Sequence, residues 1–99
     1  GAASAERIAK YEADSTKMGE MLKAVTYQGE FSMDDWNKVS QAEKLTQAEK
    51  DRIGSKLSAA SAEIAKGRQY IASKGRTPES LAYAQKVIKD KYGIDYDFS

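Results

Sequence analysis

The chain lacks both cysteine and histidine, carries one proline, and has only 15 Ile, Leu, Val and Phe residues among its 99. Without cysteine there is no disulfide, no cysteine-ligated zinc and no thiol nucleophile. Without histidine the commonest general base and nitrogen metal ligand are missing. Neither a Ser-His-Asp site nor a His-Glu-x-x-His metal site can therefore be assembled. Carboxylate pairs do occur: Asp34 with Asp35, Glu49 with Asp51, and Asp95 with Asp97. None has the glycine and terminal glutamate of a calcium-binding loop. A two-carboxylate hydrolase also needs a cleft, for which a small alanine-rich bundle has little room. The expectation is a non-enzyme with no cofactor and no metal. Apolar runs are a few residues long, against the roughly 20 needed to span a bilayer, and no intact signal peptide is present.

Scarce aliphatics alone suggest a weakly folded chain. Disorder normally also needs a large net charge, and here 16 basic residues nearly cancel 15 acidic ones. Alanine, at 15 residues, makes up much of the apolar count. The composition reads as one soluble helix-rich domain over residues 1–99, with a thin core. The start, Gly1-Ala2-Ala3-Ser4-Ala5, reads as a flexible N-terminus over residues 1–5, left by trimming or by a tag. A mature end left by a signal peptidase is the alternative.

Hydrophobic spacing then places four helices. Ile8, Tyr11, Ser15, Met18, Leu22 and Val25 recur at helical spacing and predict one long helix from about Ser4 to Tyr27, widened by Met21 and Ala24. Gly29 is its expected stop. Ser32 and Asp35 resemble a capping box, and Phe31 and Trp36 stand where a hydrophobic staple would sit. They predict a short helix from Met33 to Lys44. Thr46 and Glu49 form a direct capping box. The seam Ile53, Leu57, Ala60, Ile64, Gly67 and Ile71 carries the helix that follows from Gln47 to Ser73. Thr77-Pro78-Glu79 opens the last helix, and Gly93 is its expected left-handed cap. The tail Ile94-Asp95-Tyr96-Asp97-Phe98-Ser99 alternates apolar and acidic residues. It is too short and isolated to form a sheet, so residues 94–99 are expected to be an extended arm. The fold class is all-α: a small antiparallel helical bundle of two long and two shorter helices. Its size and long helical pair are similar to those of secreted helical hairpins with a Trp-x-Gly turn. The only Trp, in Asp35-Trp36-Asn37-Lys38, does not make that turn, so the chain is not assigned to them.

Two features bear on function. The first is aromatic. Six Tyr, two Phe and one Trp exceed what the sparse aliphatics lead one to expect. Tyr11 and Tyr92 fall on core faces, whereas Tyr96 and Phe98 belong to no helix seam. The arm either inserts its aromatics into a partner or folds back to fill gaps in its own core. Ile94, Tyr96, Phe98 and Trp36 are the candidate partner-binding residues. The second feature is charge. Residues 66–91 hold seven basic and two acidic side chains. Lys66, Arg68, Lys74 and Arg76, extended by Lys86 and Lys89, could face an anion or nucleic acid. The plainer reading is complementation of a helix C-terminus, since a chain of net charge +1 is short of cations for DNA.

The resulting expectation is a non-catalytic helical interaction module, or a small accessory subunit of a larger assembly. Its partner would be another protein, or a second copy through self-association. A helical nucleic-acid-binding module using the basic segment 66–91 is the alternative. An extrinsic subunit at a membrane or lumenal surface, suggested by the N-terminus, is the second.

Overall fold

The computed structural model describes residues 2–99, apart from the side chain of Ala2, and it is all-α with one minimal hairpin. The elements are α1 (Ala2–Ala13), α2 (Ser15–Val25), β1 (Thr26–Tyr27), β2 (Glu30–Phe31), α3 (Met33–Ala42), α4 (Gln47–Lys74) and α5 (Pro78–Tyr92).

The punctuation read from the sequence governs α3, α4 and α5. Ser32 Oγ accepts the Asp35 N–H at the start of α3. At the start of α4, Thr46 and Glu49 exchange both capping-box bonds, at 2.8 and 3.2 Å. Thr77 and Ser80 do the same for α5, both at 3.1 Å, with Pro78 in the first turn. Gly93 closes α5 with φ 66°, a left-handed conformation that costs glycine nothing.

Two local expectations are overturned. The long N-terminal helix breaks at Asp14, whose backbone (φ −95°, ψ 84°) is not helical and whose side chain accepts the Lys17 N–H. Asp14-Ser15-Thr16 is a run of residues whose short polar side chains favour helix caps over helix interiors, and it starts α2 afresh. Residues 2–5, expected to be flexible, form the first turn of α1; Gly1 lies outside the described residues. The second correction concerns Gly29, read as a helix stop. Gln28 and Gly29 both have positive φ, 52° and 86°, which is the backbone of a two-residue type I′ hairpin turn. Thr26 pairs with Phe31 and Tyr27 with Glu30. A strand was expected nowhere in this stretch.

Long-range contacts set the directions. Ser4 lies beside Thr46, Arg7 beside Glu49, and Thr26 beside Ser61. The α1–α2 run and α4 therefore point the same way. Helix α3 returns between them: its start meets the hairpin, and Glu43 just beyond its end meets Tyr11 and Lys17. Helix α5 runs back along the second half of α4, with Tyr83 beside Tyr70 and Lys91 beside Glu63. From α2 onward, successive helices thus run antiparallel, as short connections favour. The 28 residues of α4 make a spine of about 42 Å, close to the 45 Å long axis of the molecule.

The core is drawn from every later helix. Helix α2 gives Met18, Met21, Leu22 and Val25; α3 gives Trp36; α4 gives Ile53, Leu57, Ala60, Ile64 and Ile71; α5 gives Ala84 and Ile88. Of the expected seam, Ala24 turns out exposed, while Ile8 and Tyr11 are only half-buried. Ile94 and Phe98 of the tail complete the interior.

Candidate functional site

Three of the four residues expected to contact a partner lie in the chain's own interior. The tail leaves Gly93 and runs back over α2 and α4. The Asp95 N–H donates to the Ser15 carbonyl at 3.2 Å. The Asp95 carboxylate accepts from Ser15 Oγ at 2.9 Å and from Lys89 Nζ at 2.8 Å. The Phe98 carbonyl accepts from the Arg76 guanidinium at 2.6 Å. Ile94 is fully buried, Phe98 nearly so, and Tyr96 packs edge-on against Phe98 at 5.0 Å between ring centres. Of the two readings of the arm, the structure takes the one in which it fills gaps in its own core. Residues 94–99 form neither helix nor strand and lie against the helices.

Small residues on the helices make this possible. A Cβ on Gly19 would collide with the Asp95 carbonyl, and one on Gly67 would stand 2.6 Å from Phe98 Cζ. Gly54 seats Trp36 in the same way. The indole of Trp36 is buried, with its N–H donating to the Lys50 carbonyl at 3.3 Å. Trp36 and Phe31 line one groove, consistent with the staple position, so Trp36 contributes a wall and not a projecting anchor.

The six basic residues are scattered and mostly engaged. Lys66 pairs with Glu63 at 3.4 Å, Lys86 with Asp90 at 2.6 Å and Lys89 with Asp95 at 2.8 Å. Arg76 holds the tail. Among the described residues, Arg68 and Lys74 alone of the six form no ion pair or side-chain hydrogen bond. Lys91, outside that set, reaches Glu63 at 2.8 Å, and this contact foremost holds the Glu63 carboxyl below its usual range.

A polar cluster at the other end has no counterpart in the sequence reading. The Tyr11 hydroxyl donates to Glu43 Oε1 at 2.7 Å, and Lys17 Nζ donates to Oε2 at 3.0 Å. These bonds lower the Glu43 pKa, the Tyr11 bond contributing most. Burial, and then the same carboxylate, raise that of Tyr11. Arg7 reaches the buried Glu49 at 3.1 Å, and Glu12 meets Arg52 and Lys56 at 3.5 and 3.6 Å. A hollow of about 310 Å³ lies here, lined by Arg7, Lys10, Tyr11, Asp14, Lys17 and Glu43. Its central carboxylate is already satisfied from within the chain. The cluster's evident work is to clamp α1, which contributes no fully buried apolar side chain, onto α4 and the turn before it.

What remains open to a partner is elsewhere. A groove of about 720 Å³ runs between the hairpin, the start of α3 and α4. Phe31, Met33 and Trp36 give it apolar walls; Gly54, Ser55, Ser58 and Ala59 give it a shallow floor. Met33 is 58% exposed there; Tyr27, 74% exposed, lies with Glu30 on the opposite face of the hairpin from Phe31. Neither Met33 nor Tyr27 stood out in the sequence. The hairpin that presents Tyr27 was read as a helix end, and Met33 as an ordinary first-turn residue.

Among the described residues no group of His, Cys, Asp or Glu could hold a metal ion. No described helix is long and apolar enough to cross a membrane. The fold defines the broad class, an all-α protein. Comparison with protein-family models, with curated proteins and with solved structures finds no match.

Proposed function

We propose that this chain is a non-catalytic helical interaction module, or a small accessory subunit, which docks another protein in the groove between the hairpin, α3 and α4. One observation carries the reading: Met33, 58% exposed, and the half-buried Phe31 stand together on an apolar-walled groove. Scattered exposed apolar residues are ordinary on a protein surface, whereas clustered ones beside a groove mark interaction sites. Aromatic residues and methionine are also the types enriched at interfaces. The partner-contacting set of the proposal is therefore Phe31 and Met33, with Trp36 as rigid backing.

The nucleic-acid alternative has less support. It calls on Lys66, Lys86 and Lys89, whose charges are already met by carboxylates, and a phosphate would have to compete for them.

The test is capture from native extract by three forms of the protein. Wild type and Tyr83→Ser, altered at the far end of the molecule on α5, are expected to retain the same partner. The variant Met33→Ser is expected to lose it. Equal capture by all three forms rejects the groove as the docking surface.

A further inference from the structure

We infer that the seat of α1 on α4 also takes α1 from a second copy of this chain. The product is a domain-swapped dimer in which α1 and α2 straighten into one helix through Asp14. The docking groove is not involved.

The register along α4 supplies the first reason. Ser4 meets Thr46 and Arg7 meets Glu49, each 42 residues further along the chain. Glu12 keeps the same step, between Arg52 and Lys56. Past Asp14 the step is lost, and Thr26 meets Ser61, 35 residues further along. Helix α1 therefore runs alongside α4, whereas α2 crosses it at an angle, and the break at Asp14 joins the two directions. A straight α1–α2 helix would slip against α4 by about seven residues, or about 10 Å. It cannot keep both ends on α4, so straightening carries α1 off its seat.

The hinge supplies the second. The seam Ile8, Tyr11, Ser15, Met18, Leu22 and Val25 runs through the break with no change of helical spacing. Asp14 alone separates α1 from α2, and its carboxylate caps α2 through the Lys17 N–H at 3.0 Å. Straightening gives up that bond and pairs the backbone groups that two helix ends leave open.

The attachment of α1 supplies the third. Arg7, Tyr11 and Glu12 hold it through Glu49, Glu43 and the Arg52–Lys56 pair. Among the described residues, α1 buries no apolar side chain fully. Polar contacts of this kind yield to water at small cost, and segments with few buried contacts open before the core does. An emptied seat fits the same helix from another copy contact for contact, which makes swapping a low-cost route to a dimer.

The experiment refolds wild type, Asp14→Ala and Ser15→Pro from urea across a concentration series and measures mass by light scattering after size exclusion. Asp14→Ala should raise the association constant about 30-fold, because each of the dimer's two hinges sheds a cap whose loss shifts an equilibrium about fivefold. Ser15→Pro should dimerise less than wild type, since proline suits the first turn of α2 but not the middle of a straight helix. Ser4→Cys and Thr46→Cys, placed where the two hydroxyls stand 3.4 Å apart, then report the swap in the Asp14→Ala background. The chain has no other cysteine. Oxidation of the isolated monomer should link residues 4 and 46 within one chain, and oxidation of the isolated dimer should link two chains. Asp14→Ala no more dimeric than wild type overturns the inference, as does Ser15→Pro dimerising as readily as Asp14→Ala. Links confined within single chains of an isolated dimer also overturn it, because the copies would then meet elsewhere.

Discussion

Phe98 and Gly67 give the sharpest test of the fold, because the effect of one substitution should depend on the other. Phe98 is 8% exposed and its ring lies over Gly67 and Ala84. Truncating a core Phe to Ala costs about 3–5 kcal/mol, and a ring at the edge of the core belongs at the lower end. For a domain of this size about 3 kcal/mol lowers the melting temperature by roughly 12–24 °C. Gly67→Ala brings two opposed effects. Replacing Gly by Ala inside a helix favours folding by about 1 kcal/mol. The new methyl would, however, stand 2.6 Å from Phe98 Cζ and 3.3 Å from Ala84 Cβ. It must push the ring outward and forfeit much of the 1.5–3 kcal/mol that burying such a side chain contributes. In the wild-type background the two effects oppose each other, for a net loss of up to about 2 kcal/mol. In a Phe98→Ala background nothing is displaced, so Gly67→Ala should stabilise by about 1 kcal/mol. Urea unfolding of the four proteins, followed by far-ultraviolet circular dichroism, measures the cycle. The expected coupling is about 1–3 kcal/mol, the range found for residues in contact. Additivity within about 0.5 kcal/mol would refute the seating of Phe98 on α4. A stability unchanged by Phe98→Ala alone would return the tail to the role of a projecting arm.

Three further outcomes follow from the same contacts. Gly19→Ala should displace the tail backbone at Asp95, which is held by Ser15 and cannot simply yield; faster amide exchange at residues 94–98 checks this, and unchanged exchange contradicts it. Glu43 titrates below its ordinary value because of Tyr11 and Lys17, so its stabilisation is complete above the usual carboxylate pKa and is lost as pH falls through the lowered one. Amide protection in α1 should accordingly fall on acidification, with a flatter profile in Glu43→Gln; identical profiles for the two proteins would remove Glu43 from the clamp. Thr77→Ala should cost about 1 kcal/mol by uncapping α5, seen as a lower melting temperature, and Thr77→Ser should restore it.

Much of the secondary structure was legible because its causes are local. Thr46 with Glu49 and Thr77 with Ser80 are contacts three residues apart, and a left-handed glycine such as Gly93 ends a helix wherever it stands. The break at Asp14 and the hairpin at Gln28-Gly29 were also locally encoded, by a cluster of capping residues and by β-forming Thr26 and Tyr27 around the turn. A continuous apolar seam masked the first, and a glycine that also suits a helix end masked the second.

The candidate site was far less legible. Trp36, Ile94 and Phe98 stood out by residue type, yet type does not say whether an aromatic faces solvent or the chain itself. Gly19, Gly54 and Gly67 carried the missing information, although a glycine inside a helix by itself signals only a local cost. They become seats only when Asp95, Trp36 and Phe98 arrive from distant parts of the chain.

By itself, then, the sequence determined an all-α chain with no histidine or cysteine chemistry, the starts of three helices, and a core too poor in aliphatics to close without help. The tertiary structure decided what that help is: the tail and Trp36, seated on glycines. It also decided which apolar residues were left over, Tyr27 on the outer face of the hairpin and Met33 in the groove. The division has a physical reason. Caps and periodicity arise from neighbours within a turn or two, whereas burial is settled only when separated segments compete for the same apolar surface.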